Sequence, residues 1–186
     1  MKDDLARQFR VAKQMVDMHA RLRDRYQRRA LVLDIVILAG SVVFAATTFA
    51  DEATFVDLGL APSTSVNVLR IASVTLFIAS VAALRVDWKG VARGHDDAVG
   101  RLAGLVSDYR EWRLDDGSWP EDRGRLLHQR YSDVTNSAVA IPTRDFTRLK
   151  AKFLKAKEVS KVIDARPGYP HWLASLSVAV RAVRKE

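Results

Sequence analysis

Four histidines, His19, His95, His128 and His171, are the only side chains in this 186-residue sequence that titrate near neutrality unperturbed, and no cysteine accompanies them. They fall in different predicted elements, and there is no HExxH, GxSxG, GxGxxG or Walker-type phosphate loop. His95 with Asp96 and Asp97 comes nearest to a metal-ligand cluster, but a solvated kink in a helix explains the triplet better. Gly100 and Gly104 read as a close helix crossing rather than a phosphate cradle. The absence of cysteine excludes a disulfide scaffold and a thiolate metal site. No catalytic, metal-binding or cofactor-binding residue is assigned, and neither an enzyme nor a cofactor is expected.

The charges that stand out do so by position. Asp34, Arg70 and Arg85 sit within or beside long apolar runs, where an ionised group needs a partner or a route to water. Lys150, Lys152, Lys155, Lys157 and Lys161 form a basic run, a candidate face for a signal or a partner. It could meet a nucleotide, a nucleic acid or anionic lipid, but a solvated helix face explains it better.

The elements that hold these residues follow from the segregation of charge. Of the 30 Lys and Arg residues, nine lie in residues 1–29, twenty lie from Arg85 onward, and Arg70 alone lies between. A net charge of +8 would suggest an acidic partner in a water-soluble protein, but here placement decides. Leu31 to Ala50 carries one ionisable residue, Asp34, and as a helix is roughly 30 Å long, the thickness of a bilayer core. The second run, Val66 to Val86, has an uncharged centre from Ile71 to Leu84, short for a span unless Arg70 and Arg85 extend their guanidinium groups to the headgroups. A cleavable signal does not usually follow a charged helix of nearly thirty residues. A buried hairpin in a soluble helical protein is the other alternative, and two neighbouring apolar runs favour the membrane.

The connector Asp51–Ser65 is acidic and lacks basic residues, whereas both flanks are crowded with Lys and Arg. The positive-inside rule places the connector outside and both termini in the cytoplasm. In that register Asp34 and Arg85 share a depth and form a candidate intramembrane pair, structural or part of an ion path. Arg70 lies at the outer membrane interface near Asp51 and Glu52. Ser41 with Ala45, and Ala79 with Ala83, give small-xxx-small spacings that would let helices approach closely.

Outside the spans the pattern is helical and amphipathic. Leu5, Phe9, Ala12, Val16, His19 and Tyr26 recur at helical steps, without Pro or Gly, in a segment 1–29 that runs into the span at 30–50. After the second span at 66–86, Val91, Val99, Leu102, Val106, Tyr109 and Trp112 repeat the pattern, so the region 87–186 begins as the other half of a paired stalk. Asp115–Pro120 breaks it, and Pro120 in a first-turn position opens a helix to about Ser132. A second break spans Asn136–Pro142, and Thr143 is a candidate cap for a helix bearing Phe146, Leu149, Phe153, Val159 and Ile163. Ala165–Pro170 ends that helix, and a final apolar helix runs from His171 to about Arg184. The expected architecture is an all-α membrane protein: a two-helix transmembrane hairpin, a cytoplasmic helical stalk and a small C-terminal helical region.

This order of elements resembles the SLATT family, two-transmembrane effectors that accompany nucleotide-second-messenger and SLOG sensor systems in bacterial anti-phage defence. The tail carries the more specific part: Tyr131 and Asp133, then AVAIPTRDFTRLKAKFLKAKEVSKVID from Ala138 to Asp164, then Pro167 and Gly168. The Ile141–Pro142 step, Phe146, Leu149 and the Lys-rich helix ending near Ser160–Lys161 are similar to that family's signature. The resemblance implies an effector in the bacterial inner membrane that assembles as a homo-oligomer and perforates or depolarises the bilayer. A sensor, or a signal-generating protein or its nucleotide product, would be its trigger. Direct binding of nucleic acid is not expected, and the resemblance transfers no active-site residue. The competing class is a membrane-anchored scaffold that holds a cytoplasmic partner without forming a pore. A lone transport subunit is disfavoured, because the spans lack the Gly or Pro interruptions that build a midplane substrate site.

Overall fold

The computed structural model describes residues 2–49, 62–114 and 117–183, and every regular element among them is an α-helix. In chain order these are α1 (Lys2–Phe49), α2 (Pro62–Arg85), α3 (Trp88–Glu111), α4 (Glu121–Ser137), α5 (Thr143–Ala165) and α6 (His171–Val183). The connector expected at Asp51–Ser65, with the proposed partners of Arg70, lies outside the described residues up to Ala61; its last four residues open α2. The chain divides into two compact units, one of residues 1–22 with 94–186 and one of residues 23–93.

In the first unit the opening turns of α1 pack against α3 and α4. Asp3 and Asp4 lie in the first turn of α1, where negative charge opposes the unpaired amide dipoles. Leu5 and Ala12 of α1 join Leu105, Val106 and Tyr109 of α3, Trp119 of the following loop and Leu127 of α4 in one buried cluster. Phe9, Val16, Trp112, Tyr131 and Val134 pack around it. Each large side chain removed from water here contributes on the order of 2 kcal/mol. The loop is fastened by Trp119, whose indole Nε1 donates to the Tyr109 carbonyl at 2.8 Å and whose ring meets that of Tyr109 edge-on at 5.8 Å.

Three local boundaries differ from the sequence reading. Pro120 stands just before α4 rather than in its first turn, and α4 continues to Ser137, because nothing between Ser132 and Ala138 denies it a backbone hydrogen bond. Pro142 caps α5 through its carbonyl, which accepts from the Phe146 amide at 3.0 Å; Thr143 is thereby already helical and makes no side-chain cap. Gly100 and Gly104 are exposed, and a methyl group added at either would meet open space, so they mark no helix crossing. The close approach is at Gly94, where an added Cβ would come within 2.9 Å of Val139 Cγ2.

Beyond Ala165 the chain turns through Gly168 at φ +91°, a left-handed conformation that favours glycine, and α6 packs back on α5. The orientation of α6 is unusual. It buries the small Ala174, while Trp172, Leu176 and Val180, one turn apart along a single face, are 63%, 54% and 57% exposed.

The second unit is a hairpin of the apolar half of α1 with α2 and the start of α3. Both α1 and the α2–α3 segment contain a stretch long and apolar enough to cross a membrane, and only 6% of either stretch is buried. Gly40 of α1 lies against Leu76 of α2, 3.6 Å from where a Cβ would stand to Leu76 Cδ1, and Ala79 is buried. Ser41, Ala45 and Ala83 are exposed, so the small-residue spacings are not both used between these two helices. Ser41, Thr47, Thr48 and Ser73 return their hydroxyls to carbonyls one turn back, which leaves no free donor on the apolar surface at those positions. The chain leaves helical geometry at Val86 and Asp87, and Asp87 restarts it: its Oδ1 accepts from the Gly90 amide at 2.7 Å, capping α3.

Candidate functional site

Apart from Arg70 in the early turns of α2, the described charged residues of the hairpin lie within 23–34 and 85–93. Asp34 is paired with Lys89, Nζ to Oδ2 at 2.9 Å, and not with Arg85. A two-residue break follows Arg85. Past it, the first turn of α3, rather than the last of α2, presents a cation to Asp34, while the Arg85 side chain is exposed. A cavity of about 320 Å³ surrounds the pair, walled by Leu33, Leu84 and Trp88 among others. Arg70 is exposed on α2.

Beside that pair runs a second, open groove of about 310 Å³ between α1 and Trp88. Arg28 and Arg29 stand at one end, and Val32, Leu33 and Val36 form its floor. The spacing 28, 32, 36 and 29, 33 sets these residues on one side of α1, so the groove runs from the apolar stems of two arginines into the apolar run. Arg29 lies over the Tyr26 ring at 5.7 Å, and Asp24, the nearest acid in sequence, is engaged by Arg23 at 3.0 Å.

The five lysines of α5 are all exposed but do not form one face. At about 100° per residue, Lys150, Lys157 and Lys161 fall on one side of the helix and Lys152 and Lys155 on the other, straddling buried Val159, with buried Leu149 between the two groups. Lys161 is further paired with Glu158 at 2.7 Å.

In the first unit the structure joins two histidines that the sequence leaves apart. His95 does not kink α3; it is helical and 1% exposed, and its Nδ1 lies 2.9 Å from Nδ1 of His19, itself fully buried. One ring must donate and the other accept. We assign His19 as donor, because its Nε2 is buried without a hydrogen-bond partner and is then a bare lone pair rather than a stranded N–H. Burial holds both imidazoles below their ordinary value; for His19, with the His95 charge adding to burial, the pKa falls to about 4. The pair is therefore neutral at physiological pH.

A second polar chain crosses the same unit. The Tyr109 hydroxyl donates to Gln8 Oε1 at 2.9 Å, and the Gln8 amide nitrogen donates to His128 Nδ1 at 2.7 Å. Burial, with the nearby Tyr131 and Asp4, raises the Tyr109 phenol far above its ordinary value, so it serves only as a neutral donor. Neither histidine contact opens onto an obvious reaction site. Among the described residues no three His, Asp or Glu side chains converge as a metal ion would require.

Comparison of the chain with family models, with curated proteins and with solved structures returns no match.

Proposed function

We propose that this chain is an integral membrane protein whose hairpin spans the bacterial inner membrane with both termini in the cytoplasm. It acts there as an oligomeric effector that opens or disrupts the bilayer when a cytoplasmic signal arrives. The observation that carries the membrane reading is the outward display of apolar side chains over the whole hairpin. Leu31, Ile35, Leu38, Val42 and Phe49 on α1, and Ile71, Val74, Phe77, Ile78 and Leu84 on α2, are all exposed, Leu84 and Phe49 by more than four-fifths. An isolated patch of this extent in water would drive association; in lipid it is the ordinary surface of a spanning helix.

The effector step rests on the resemblance to SLATT proteins and on geometry. Two helices enclose no lumen, so passage of ions requires several copies packed through their hairpins. α1 is one unbroken helix that belongs to both units, which gives a cytoplasmic event a covalent route to the span.

The test is membrane potential, read with a voltage-sensitive dye after induction of the full chain in bacteria, with a version lacking Leu31–Leu84 as control. Rapid depolarisation confined to the full chain is expected. An unchanged potential with the protein in the membrane and its sensor system present overturns the effector reading.

A second reading, an anchored scaffold, is favoured by one observation: the outward Trp172, Leu176 and Val180 of α6 form an apolar stripe of the kind that receives a partner protein. A scaffold predicts no depolarisation, and a function that survives exchange of both spans for an unrelated hairpin.

A further inference from the structure

We propose that the groove between α1 and Trp88 is a binding site for a single phospholipid with a net-negative headgroup, of the phosphatidylglycerol type. This rests on the membrane reading given above and adds to it a specific ligand and its residues.

The apolar groove and the two arginine heads beyond its end together have the polarity of such a lipid. At one end the groove is lined by the apolar stems of Arg28 and Arg29, two exposed side chains whose guanidinium groups stand outside its lining, and neither has a carboxylate partner at ion-pair distance among the described residues. Asp24 is occupied by Arg23, and Asp34, on the neighbouring cavity, by Lys89. From that end Val32, Leu33 and Val36 lead two turns into the apolar run, a floor that holds hydrocarbon and offers no hydrogen bond. Trp88 forms the opposite wall, an amphipathic ring of the kind that settles at headgroup level. A guanidinium pair recognises a phosphodiester through forked N–H donors, and the acyl chain lies along the valines.

Charge selects the lipid. A zwitterionic headgroup would bring its own cation into a field already set by two arginines, whereas a net-negative one neutralises it. Each basic group near the surface strengthens attraction to anionic lipid about fivefold, so the two together give a preference of roughly twenty- to thirtyfold.

The experiment is native mass spectrometry of the full chain in detergent, titrated with palmitoyl-oleoyl phosphatidylglycerol or its phosphatidylcholine counterpart, alongside alkaline carbonate extraction of the membranes from which it is purified. The parent is expected to retain the glycerol lipid preferentially. Arg28→Gln with Arg29→Gln is expected to lose that preference by roughly twenty- to thirtyfold, and Arg28→Lys with Arg29→Lys to recover part of it. Val32→Trp, which fills the groove and leaves both charges in place, is expected to lose the lipid as well. Equal retention of the two lipids by the parent, or unchanged retention in both the glutamine and the tryptophan variants, overturns the site. If the chain resists carbonate, that failure leaves the membrane reading intact; if carbonate releases the chain, both fall together.

Discussion

His19 and His95, 76 residues apart in sequence, share one buried hydrogen bond between their Nδ1 atoms. The contact joins α1 to α3 inside the first unit, and its protonation sets the first expectation. The unfolded chain takes up these protons near pH 6.5, whereas folded His19 does so only near 4. The unfolded state thus binds more protons between those values. Stability is full above about pH 6.5 and declines as pH falls toward 4, by up to about 3 kcal/mol for His19. Thermal unfolding followed by tryptophan fluorescence at pH 7.5 and 4.5 checks this. Comparison with His19→Leu/His95→Leu subtracts the carboxylates, and a parent no more pH-sensitive than the double variant would refute it.

Tyr109→Phe removes the donor to Gln8 Oε1 while keeping the ring between Phe9 and Trp119. A buried amide oxygen then loses its partner, at a cost of about 1–2 kcal/mol. The melting temperature should fall by several degrees. Gln8→Leu together with Tyr109→Phe should cost less than the sum of the two single changes, since both partners of one bond are then gone. Strict additivity would show that the bond contributes little.

The pairing of Asp34 with Lys89 gives an ordering among variants. Asp34→Leu or Lys89→Met strands one charge at the end of the hairpin, whereas Arg85→Leu strands none that the structure pairs. In the depolarisation assay the first two should change the response more than the third, and Asp34→Leu/Lys89→Met should return toward the parent. A response to Arg85→Leu as large as that to Lys89→Met would restore Arg85 as the partner of Asp34.

Glycine substitutions should differ in sign. Gly168→Ala forces a side chain into φ +91° and is expected to destabilise by roughly 1–2 kcal/mol. Gly100→Ala, on an exposed helical surface with space around it, is expected to stabilise by roughly 0.5–1 kcal/mol. Paired thermal melts decide, and a destabilising Gly100→Ala would reinstate a helix crossing there.

The helices themselves were legible in the sequence because their signals are local: apolar periodicity, Asp or Pro at starts, Gly and Pro after ends. The errors have equally definite causes. His95 lies seven residues before Leu102 and fourteen before Tyr109, so the register of α3 already places it on the buried face. The two aspartates beside it drew attention to solvent instead. The same register puts Gly100 and Gly104 on the opposite side, which argues against a crossing. Which cation meets Asp34 was not legible in the sequence, because Arg85 and Lys89 stand four residues apart and the register of α1 against them is a tertiary property that no periodicity encodes. Nor was the groove beside Trp88, since its walls come from elements more than fifty residues apart.

The first unit is assembled from two ends of the chain, residues 1–22 and 94–186, with the whole of the hairpin made between them. At about 5–20 residues per second, Leu5, Phe9, Ala12 and Val16 emerge from the ribosome roughly five to twenty seconds before Leu105, Val106 and Tyr109 of α3 exist to cover them. During that interval this segment is a basic, amphipathic helix whose apolar stripe is uncovered. The order of synthesis thus ties the two units together in time: the core of the first closes only after the whole of the second has been made, and a chain stalled before α3 is left with an adhesive N-terminal segment.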